Sequence, residues 1–422
     1  MKILNNICII DGFLWLLFMF MFPSIFQQIK YITLIILIII SFIYIIITKK
    51  AISKSLILGI LLWLSYSLFS LLWGINNGYK VDFDLVNIYF ITPIVALILS
   101  IIVDNKQKLI YLNKMLVIIT FMIVVLDFIY ILNRVGVLNI PGIDFNSPIF
   151  GSAVLENNKI EYRITNQSSL IFLLPYNIAI FISQEYKNKR EKYLLFSTIF
   201  LGIIVTLLSG RRTFQFVVAL AFILAIIFIK LKIFKFNISM RNPCILKKIT
   251  FFVFLLILSI FAYKSLSDFT GIDNLFLSIK KTFLSAFDMS SKSGVIRTTQ
   301  ASLLIDGFKS SPIIGHGINS YLIDYIRSTR TPWSYEWVYI AFLYQSGIIG
   351  IAIFFSLIYC ILKKLYYKVK GNRETRAYFF GIFIGFICFI ISGSSNPMVY
   401  YIWAWSLALI PYSFIDCDID KI

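Results

Sequence analysis

The sequence predicts an all-α polytopic membrane protein with about twelve membrane-spanning helices. The 422-residue chain is 59% hydrophobic and only 14% charged, with a mean hydropathy of +0.87. Soluble domains are close to half apolar and about a quarter charged. The apolar residues also fall in runs of about 20, the length that crosses a hydrocarbon core about 30 Å thick. A soluble core cannot absorb so many runs, so the sequence excludes a soluble enzyme with a single anchor.

The apolar runs set the predicted spans in order along the chain. Lys2 precedes the first run and no small-residue cleavage site follows it, so this run is expected to remain as the first span. The predicted spans cover residues 7–28, 31–48, 55–73, 85–103, 109–132, 166–184, 193–209, 213–230, 248–264, 335–362, 376–393 and 397–415. The whole chain, 1–422, is therefore predicted to form a single membrane domain.

Basic clusters in the gaps between spans predict the orientation of the chain. They comprise Lys49, Lys50, Lys54, Lys106, Lys108, Lys187, Lys189, Arg190, Lys192 and the clusters within 230–248 and 363–376. Short basic loops stay on the cytoplasmic side of a membrane, so both termini are predicted to be cytoplasmic. The net charge of +19 is spread over these loops rather than gathered into one stripe, which argues against nucleic-acid binding.

The opposite, exported side is predicted to carry the longer segments. These are two long loops at 133–165 and 265–334 and tight turns at 74–84, 210–212 and 394–396. Residues 273–287 place apolar side chains at helical spacing, which is typical of a helix lying on the membrane surface. A second short helix is predicted over 295–308. The loop 265–334 is therefore expected to form a cap, and no cysteine falls in either long loop, so no disulfide is expected.

Two arginines interrupt the pattern of apolar spans and basic loops. Arg211 and Arg212 fall on the predicted exported side and at a helix N-terminus, where the helix dipole disfavours cations. A bound anion would account for both features, because guanidinium groups and helix N-terminal N–H groups suit phosphate. The alternative is that the arginines reach lipid phosphates at the membrane surface.

Further candidate residues cluster near the end of the second long loop. Glu336 has two interpretations: a first-turn acid after an N-cap at Ser334, or a general base at the membrane surface. Tyr335 and Trp337 flank it, and their rings suit either an interfacial aromatic belt or stacking on sugar rings. Arg297, taken alone, is typical of an ordinary surface arginine.

Three other ionisable residues remain as candidates. His316, the one histidine of the sequence, lies between two glycines, where a tight turn is the favoured interpretation. Asp11 and Asp127 are acids inside predicted spans, which makes them functional candidates by default. No chain of acids and bases crosses the membrane, which weakens a proton-coupled transporter, and no metal-type spacing occurs.

Three motifs follow one another along the chain: the turn 209–213 with Arg212 in it, Arg297 followed by 312–317, and the run 336–350. Together and in this order they resemble the bacterial O-antigen polymerase and ligase superfamily, and Wzy-type polysaccharide polymerases in particular. The first resembles the family's Ser-Gly-Ser-Arg turn, with Arg212 at the family arginine, and the second resembles its arginine, short helix and Pro-x-x-Gly-x-Gly. The third resembles the helix that ends Glu-x-Gly-x-x-Gly, and Arg163 is a weaker match before the sixth span.

One position departs from the superfamily pattern. Counted back from Gly347, Glu336 falls where ligases of the superfamily commonly carry histidine. This departure favours a polymerase over a ligase and leaves the identity of the catalytic base open.

The resemblance implies a metal-independent, cofactor-free glycosyltransferase with a GT-C-like fold in the bacterial plasma (inner) membrane. Its donor would be a sugar chain on undecaprenyl diphosphate, its acceptor another lipid-linked repeat unit, and its product O-antigen or capsule. Glu336 would act as base, with Arg212 and Arg297 binding the diphosphate. The remaining expected substrate contacts are Arg163, Arg211, His316, Tyr335 and Trp337. The bilayer, a chain-length regulator and a flippase are the expected partners.

Three alternatives stay open from the sequence. A ligase would transfer finished polymer to a lipid or protein acceptor. A lipid-linked oligosaccharide flippase or transporter would show repeats and broken helices at the membrane midplane. A non-catalytic membrane scaffold would leave the exported arginines without an explanation.

Overall fold

The computed structural model describes most of the chain outside the second long loop. It covers residues 2–23, 25–49, 52–141, 145, 147, 150–156, 159–183, 188–209, 211–231, 233–234, 236, 292–326, 328–329 and 331–414. The predicted span at 248–264 and the predicted surface helix at 273–287 lie outside these residues.

Helices dominate the described residues. In chain order they are α1 (Lys2–Met21), α2 (Gln27–Thr48), α3 (Lys54–Asn76), α4 (Phe83–Ile102), α5 (Lys106–Arg134), α6 (Gln167–Ser183), α7 (Lys189–Leu208), α8 (Arg212–Lys230), α9 (Lys292–Ser310), α10 (Val338–Lys370), α11 (Arg376–Ser392) and α12 (Ile402–Ala408). Helix α4 contains a π-helical turn at Asn87–Ile91. Helix α9 contains the short helix that the sequence predicts over 295–308.

Seven helices within the described ranges are long and apolar enough to cross a membrane. They are α2, α3, α4, α5, α7, α8 and α10. Shorter apolar helices occupy Ile9–Met21, Gln167–Ser183 and Arg376–Ser392. The protein is thus a mostly helical, polytopic membrane protein, which confirms the predicted class.

The prediction of one continuous span at 397–415 is wrong for the part of it that the structure describes. Pro397–Tyr400 and Ile410–Ser413 are 3-10 turns, and α12 between them has only 7 residues. Proline lacks the N–H that a continuing helix needs, and both turns contain one. Broken backbone is tolerated at membrane depth only where protein covers it. This segment meets that condition, since Trp403 and its neighbour Ala404 are fully buried.

The prediction of purely helical structure also misses a β-hairpin in the first long loop. Strands β1 (Gly151–Glu156) and β2 (Lys159–Ile164) pair in antiparallel register. In β2, Tyr162 and Ile164 are buried and Arg163 between them is exposed. This alternation has the two-residue period of a strand with one buried face, so the sequence pattern of β2 could have predicted a strand.

Helix α6 is the buried centre of the bundle. Every residue from Gln167 to Ile180 is buried. A Cβ added at Gly381 of α11 would lie 2.8 Å from the Tyr176 ring, and one at Gly202 of α7 would lie 2.7 Å from Leu174. Glycine at these crossings lets the neighbouring helices approach α6 closely, which is how membrane helices commonly pack.

The basic loops meet at one end of the bundle, called the basic end and defined by residues 103–108, 188–191 and 371–376. Lys106 forms an ion pair with Glu374 across two of these loops. Asn113 donates to Glu191 at 3.2 Å, which joins α5 to the first turn of α7. These contacts bring together at one end of the bundle the basic loops that the sequence assigns to the same side of the membrane.

The opposite end carries the sequence motifs and is called the motif end, defined by the described residues within 77–82, 150–165, 209–213, 311–337 and 394–400. The Tyr162 N–H of β2 donates to the Ser209 carbonyl at 3.0 Å. The Asn396 amide donates to Thr213 Oγ1 at 3.0 Å. The hairpin, the arginine turn and the turn before Pro397 therefore lie side by side.

Candidate functional site

The structure joins two of the predicted catalytic residues in an ion pair. Arg297 lies on α9 and Glu336 lies just before α10. Arg297 Nε donates to Glu336 Oε2 at 2.5 Å, with the side chains 41% and 23% exposed. The pair is thus reachable from solvent, while Glu336 is the more covered partner. The sequence, with Arg297 taken alone, favours an ordinary surface arginine. The structure shows instead that Arg297 pairs with Glu336.

The backbone around Glu336 is held by α9. The buried Gln300 side chain accepts the Glu336 N–H at 3.0 Å and the Trp337 N–H at 3.4 Å. The Trp337 indole donates to the Arg297 carbonyl at 3.0 Å. These bonds fix the carboxylate of Glu336 over the side chain of Arg297.

Glu336 does not belong to the first turn of a helix. Helix α10 begins at Val338 after Trp337, and no side chain caps it. The interpretation of Ser334 as N-cap with Glu336 as a first-turn acid is therefore wrong. The Glu336 carboxylate therefore has no capping role and is engaged by Arg297 instead.

Replacing Gln300 by alanine is expected to destabilise the protein by about 1–3 kcal/mol, because two backbone N–H groups lose their buried acceptor. Thermal unfolding of the purified variant in detergent measures this loss. Ser302→Ala on the exposed face of α9 is the control, since its hydroxyl bonds only within the helix. Equal unfolding temperatures for the two variants would contradict a supporting role for Gln300.

Two of the sequence motifs pair with each other through their backbones. Helix α10 is interrupted at Gly347, where φ is +62° and ψ is −168°, so backbone groups on both sides of this residue lose their partners within the helix. The freed carbonyl of Gln345 accepts the Gly317 N–H at 2.8 Å, and the freed Ile348 N–H donates to Pro312 at 2.9 Å. The run 312–317 therefore supplies the hydrogen bonds that the opened helix lacks. This pairing needs a glycine because only glycine adopts such dihedral angles freely.

His316 and Tyr335, both predicted substrate contacts, are engaged within the protein. His316 Nε2 lies 2.9 Å from the Gly307 carbonyl of α9, and its ring stacks on Tyr344 at 4.7 Å. Tyr335 is fully buried, and its hydroxyl accepts the Leu322 N–H at 2.7 Å. Burial raises the pKa of Tyr335 to about 12. Stacking of the Tyr335 ring on a sugar does not fit this position, and the half-buried Trp337 is the better placed of the two rings.

The arginine turn forms a second group at the motif end. Arg211 is the N-cap of α8 and Arg212 its first residue, as the sequence predicts, and both are half-buried. The exposed Arg163 follows Tyr162, whose N–H binds Ser209 in the same turn. Residues of two separate motifs thus bring three arginines to one region.

A series of contacts leads from the arginine turn to Trp333, which precedes Glu336 by three residues in the sequence. Asn396 binds Thr213 at one end of the segment 394–400, and Tyr400 at its other end packs on Trp333 with ring centroids 5.5 Å apart. The Trp333 indole donates to the Asp82 carboxylate. Sequence reasoning did not identify Gln300, Asp82, Asn396 or Tyr400, because each acts through a partner distant in the chain.

No group of three or more histidine, cysteine, aspartate or glutamate side chains that could hold a metal ion occurs among the described residues. Asp127, predicted as a candidate inside a span, is fully buried in α5 and lies near Asn166 at the start of α6. In comparisons with protein-family models and with curated proteins, nothing matches the chain.

Proposed function

We propose that this protein is a membrane-embedded glycosyltransferase that polymerises polyprenyl-diphosphate-linked repeat units into a surface polysaccharide. The observation that carries the proposal is the Arg297–Glu336 ion pair, which lies at the motif end on a scaffold built by α9. A carboxylate base beside a fixed cation at a partly covered polar surface suits a reaction in which a hydroxyl loses a proton and an anion leaves.

In the proposed reaction the acceptor hydroxyl attacks the anomeric carbon of the donor chain. Its oxygen forms the new glycosidic bond and its proton passes to Glu336. The bond from the anomeric carbon to the diphosphate oxygen breaks, and the diphosphate leaves with the electron pair. Attack from the face opposite the leaving group inverts the anomeric configuration.

The arginines would stabilise the charge of the leaving diphosphate. Guanidinium groups bind phosphate oxygens in a bidentate manner without a metal ion, and Arg211 and Arg212 sit where the N–H groups of a helix N-terminus add to the site. Arg297 is paired with Glu336 before substrate binds. When Arg297 turns to the diphosphate, Glu336 is released to accept a proton, so donor binding makes the base available.

The topology that belongs to this proposal has twelve spans and a GT-C-like arrangement, in which the broken segment from Pro397 to Ser413 is the last crossing. The motif end would face the exported side of a bacterial plasma membrane, and the basic end with both termini would face the cytoplasm. The basic end, with its Lys106–Glu374 ion pair, lies opposite the motif end, with its β-hairpin. This separation supports the proposed orientation. A chain-length regulator and a flippase would be its partners.

A lipid-linked oligosaccharide flippase is the second candidate function. The observation that favours it is the broken segment from Pro397 to Ser413, together with the fully buried Asp127, since transporters use discontinuous helices and buried ionisable groups. The Arg297–Glu336 pair and the arginine turn nevertheless lie at the motif end rather than along the broken segment. A ligase remains the nearest alternative in the same chemical class.

The test is the size of the surface and lipid-linked glycan in a deletion strain, complemented with the wild type or with Arg212→Ala. Polymer formation is expected to fall about 10²–10³-fold in the variant, because one donor to the developing anion is lost. Gel analysis should give single repeat units in place of the long ladder. Arg134→Ala is the control, since Arg134 ends α5 outside the motifs and contacts the Tyr130 ring.

Other glycan patterns in the deletion strain would contradict the proposal. Full-length polymer accumulating on the carrier lipid would identify a ligase. Single repeat units retained on the cytoplasmic face would identify a flippase. A normal ladder with Arg212→Ala would remove that arginine from the site.

A further inference from the structure

Helix α5 carries a carboxylate that is buried without a hydrogen-bond partner. Asp127 is fully buried, and neither of its side-chain oxygens accepts a hydrogen bond. A charged carboxylate that is held away from water and from every donor costs several kcal/mol. An ionisable group buried in this way inside a membrane helix generally marks a binding site. A positive charge is therefore expected to accompany the Asp127 carboxylate.

The surroundings of Asp127 supply further oxygen atoms. Asn166, the residue before α6, lies beside Asp127, is buried, and has no partner for its Oδ1. The next residue, Gln167, is also buried, and its amide has no hydrogen-bond partner. Tyr130, one helical turn along α5, adds a buried hydroxyl group. The contact between α5 and the start of α6 is thus polar, although most of the surrounding bundle is apolar.

The number of oxygen atoms without a donor favours a metal cation over a proton. A protonated carboxyl has one O–H group, so it could donate to Asn166 Oδ1 and to no second acceptor. A metal cation contacts several oxygens at once, and carboxylate and amide oxygens are the ligands that hard cations prefer. One carboxylate balances one positive charge. A monovalent ion therefore suits this apolar interior better than a divalent ion.

We propose that Asp127 and Asn166 bind a sodium ion between α5 and α6, with the amide oxygen of Gln167 as a further ligand. The ion neutralises the carboxylate and joins α5 to the start of α6. Strand β2 ends just before this point, and its Tyr162 N–H donates to the Ser209 carbonyl of the arginine turn at 3.0 Å. The bound ion thus supports the motif end, whichever reaction takes place there.

The test is thermal unfolding of the purified full-length protein in detergent, with sodium chloride compared with choline chloride at equal ionic strength. Above the dissociation constant, each tenfold increase in sodium should raise the unfolding temperature by about 2 °C, because the ion binds only the folded protein. Choline is too large to replace the ion and should not have this effect. An unfolding temperature of the wild type that does not depend on sodium would overturn the proposal and would indicate a proton or a water molecule instead.

Three variants locate the ion. Asp127→Asn keeps the shape of the side chain but removes its charge, so the dependence on sodium should disappear. Asn166→Ala removes one neutral ligand and should raise the sodium concentration for half of the effect about tenfold. Asp11→Asn is the matched control, since Asp11 is a buried acid of α1. This control should keep the sodium dependence of the wild type.

Two results with the variants would contradict the assignment. One is a sodium dependence that persists in both Asp127→Asn and Asn166→Ala, and the other is a sodium dependence that Asp11→Asn abolishes. If Asp127→Asn does not fold, the wild type and Asn166→Ala still decide the question, because an unchanged sodium requirement in Asn166→Ala would exclude a site at this position.

Discussion

Replacing Glu336 by glutamine is expected to lower polymer formation about 10²–10⁴-fold, the usual contribution of a general base. Glutamine keeps the shape of the side chain and an oxygen that can accept the Arg297 N–H, but it cannot take up the proton of the acceptor hydroxyl. The glycan ladder of the complemented deletion strain and the rate of polymerisation by purified protein measure the loss.

A matched control separates loss of the base from loss of an ion pair. Asp306→Asn removes an exposed acid from α9, where it pairs with Lys309 at 2.7 Å, and should leave the ladder unchanged. The unfolding temperature of Glu336→Gln should stay close to that of the wild type, because the scaffold from Gln300 remains. A full ladder with Glu336→Gln would show that another group accepts the proton.

Replacing Gly347 by alanine is expected to destabilise the protein by at least about 3 kcal/mol. Its φ of +62° with ψ of −168° belongs to a region that residues with a Cβ avoid. An added Cβ would be 2.4 Å from the Ile313 carbonyl oxygen, and neither backbone can move without breaking the pairing of 312–317 with the opened helix. Thermal unfolding in detergent and the yield of folded protein measure the effect.

Gly12→Ala is the control for this substitution. Gly12 lies inside helix α1, and the nearest neighbour to an added Cβ is a methyl group of Leu37 at 3.5 Å, which is an ordinary packing distance. The control variant should unfold close to the wild-type temperature. If Gly347→Ala did so as well, the backbone pairing would contribute little to the stability of the motif end.

The sequence was sufficient for those features that depend on local composition. Apolar length predicted the membrane helices, and the basic loops predicted which loops would meet, as the Lys106–Glu374 pair illustrates. The placement of Arg212 at the start of α8 also followed, since the polar turn interrupts two apolar runs. Each of these inferences depends only on residues that are close together in the sequence.

Features that depend on contacts between residues distant in the chain could not be predicted from the sequence. Arg297 and Glu336 are 39 positions apart, and nothing local indicates that α9 returns to the start of α10. Gln300 is an unremarkable polar residue until its acceptor role is seen. The β-hairpin had a weak period-2 signal that the surrounding membrane pattern outweighed, and the break after Pro397 was hidden by continuous hydrophobicity.

The backbone pairing of 312–317 with 344–349 also constrains how the sequence can diverge. Bonds between the two runs join the residues in a fixed order, so inserting one residue within either run would shift every later donor away from its acceptor. Among its described residues, the connecting loop 318–335 has no comparable ladder of backbone bonds to either run. Relatives of this protein should therefore vary in the length of that connection while keeping both short runs free of insertions.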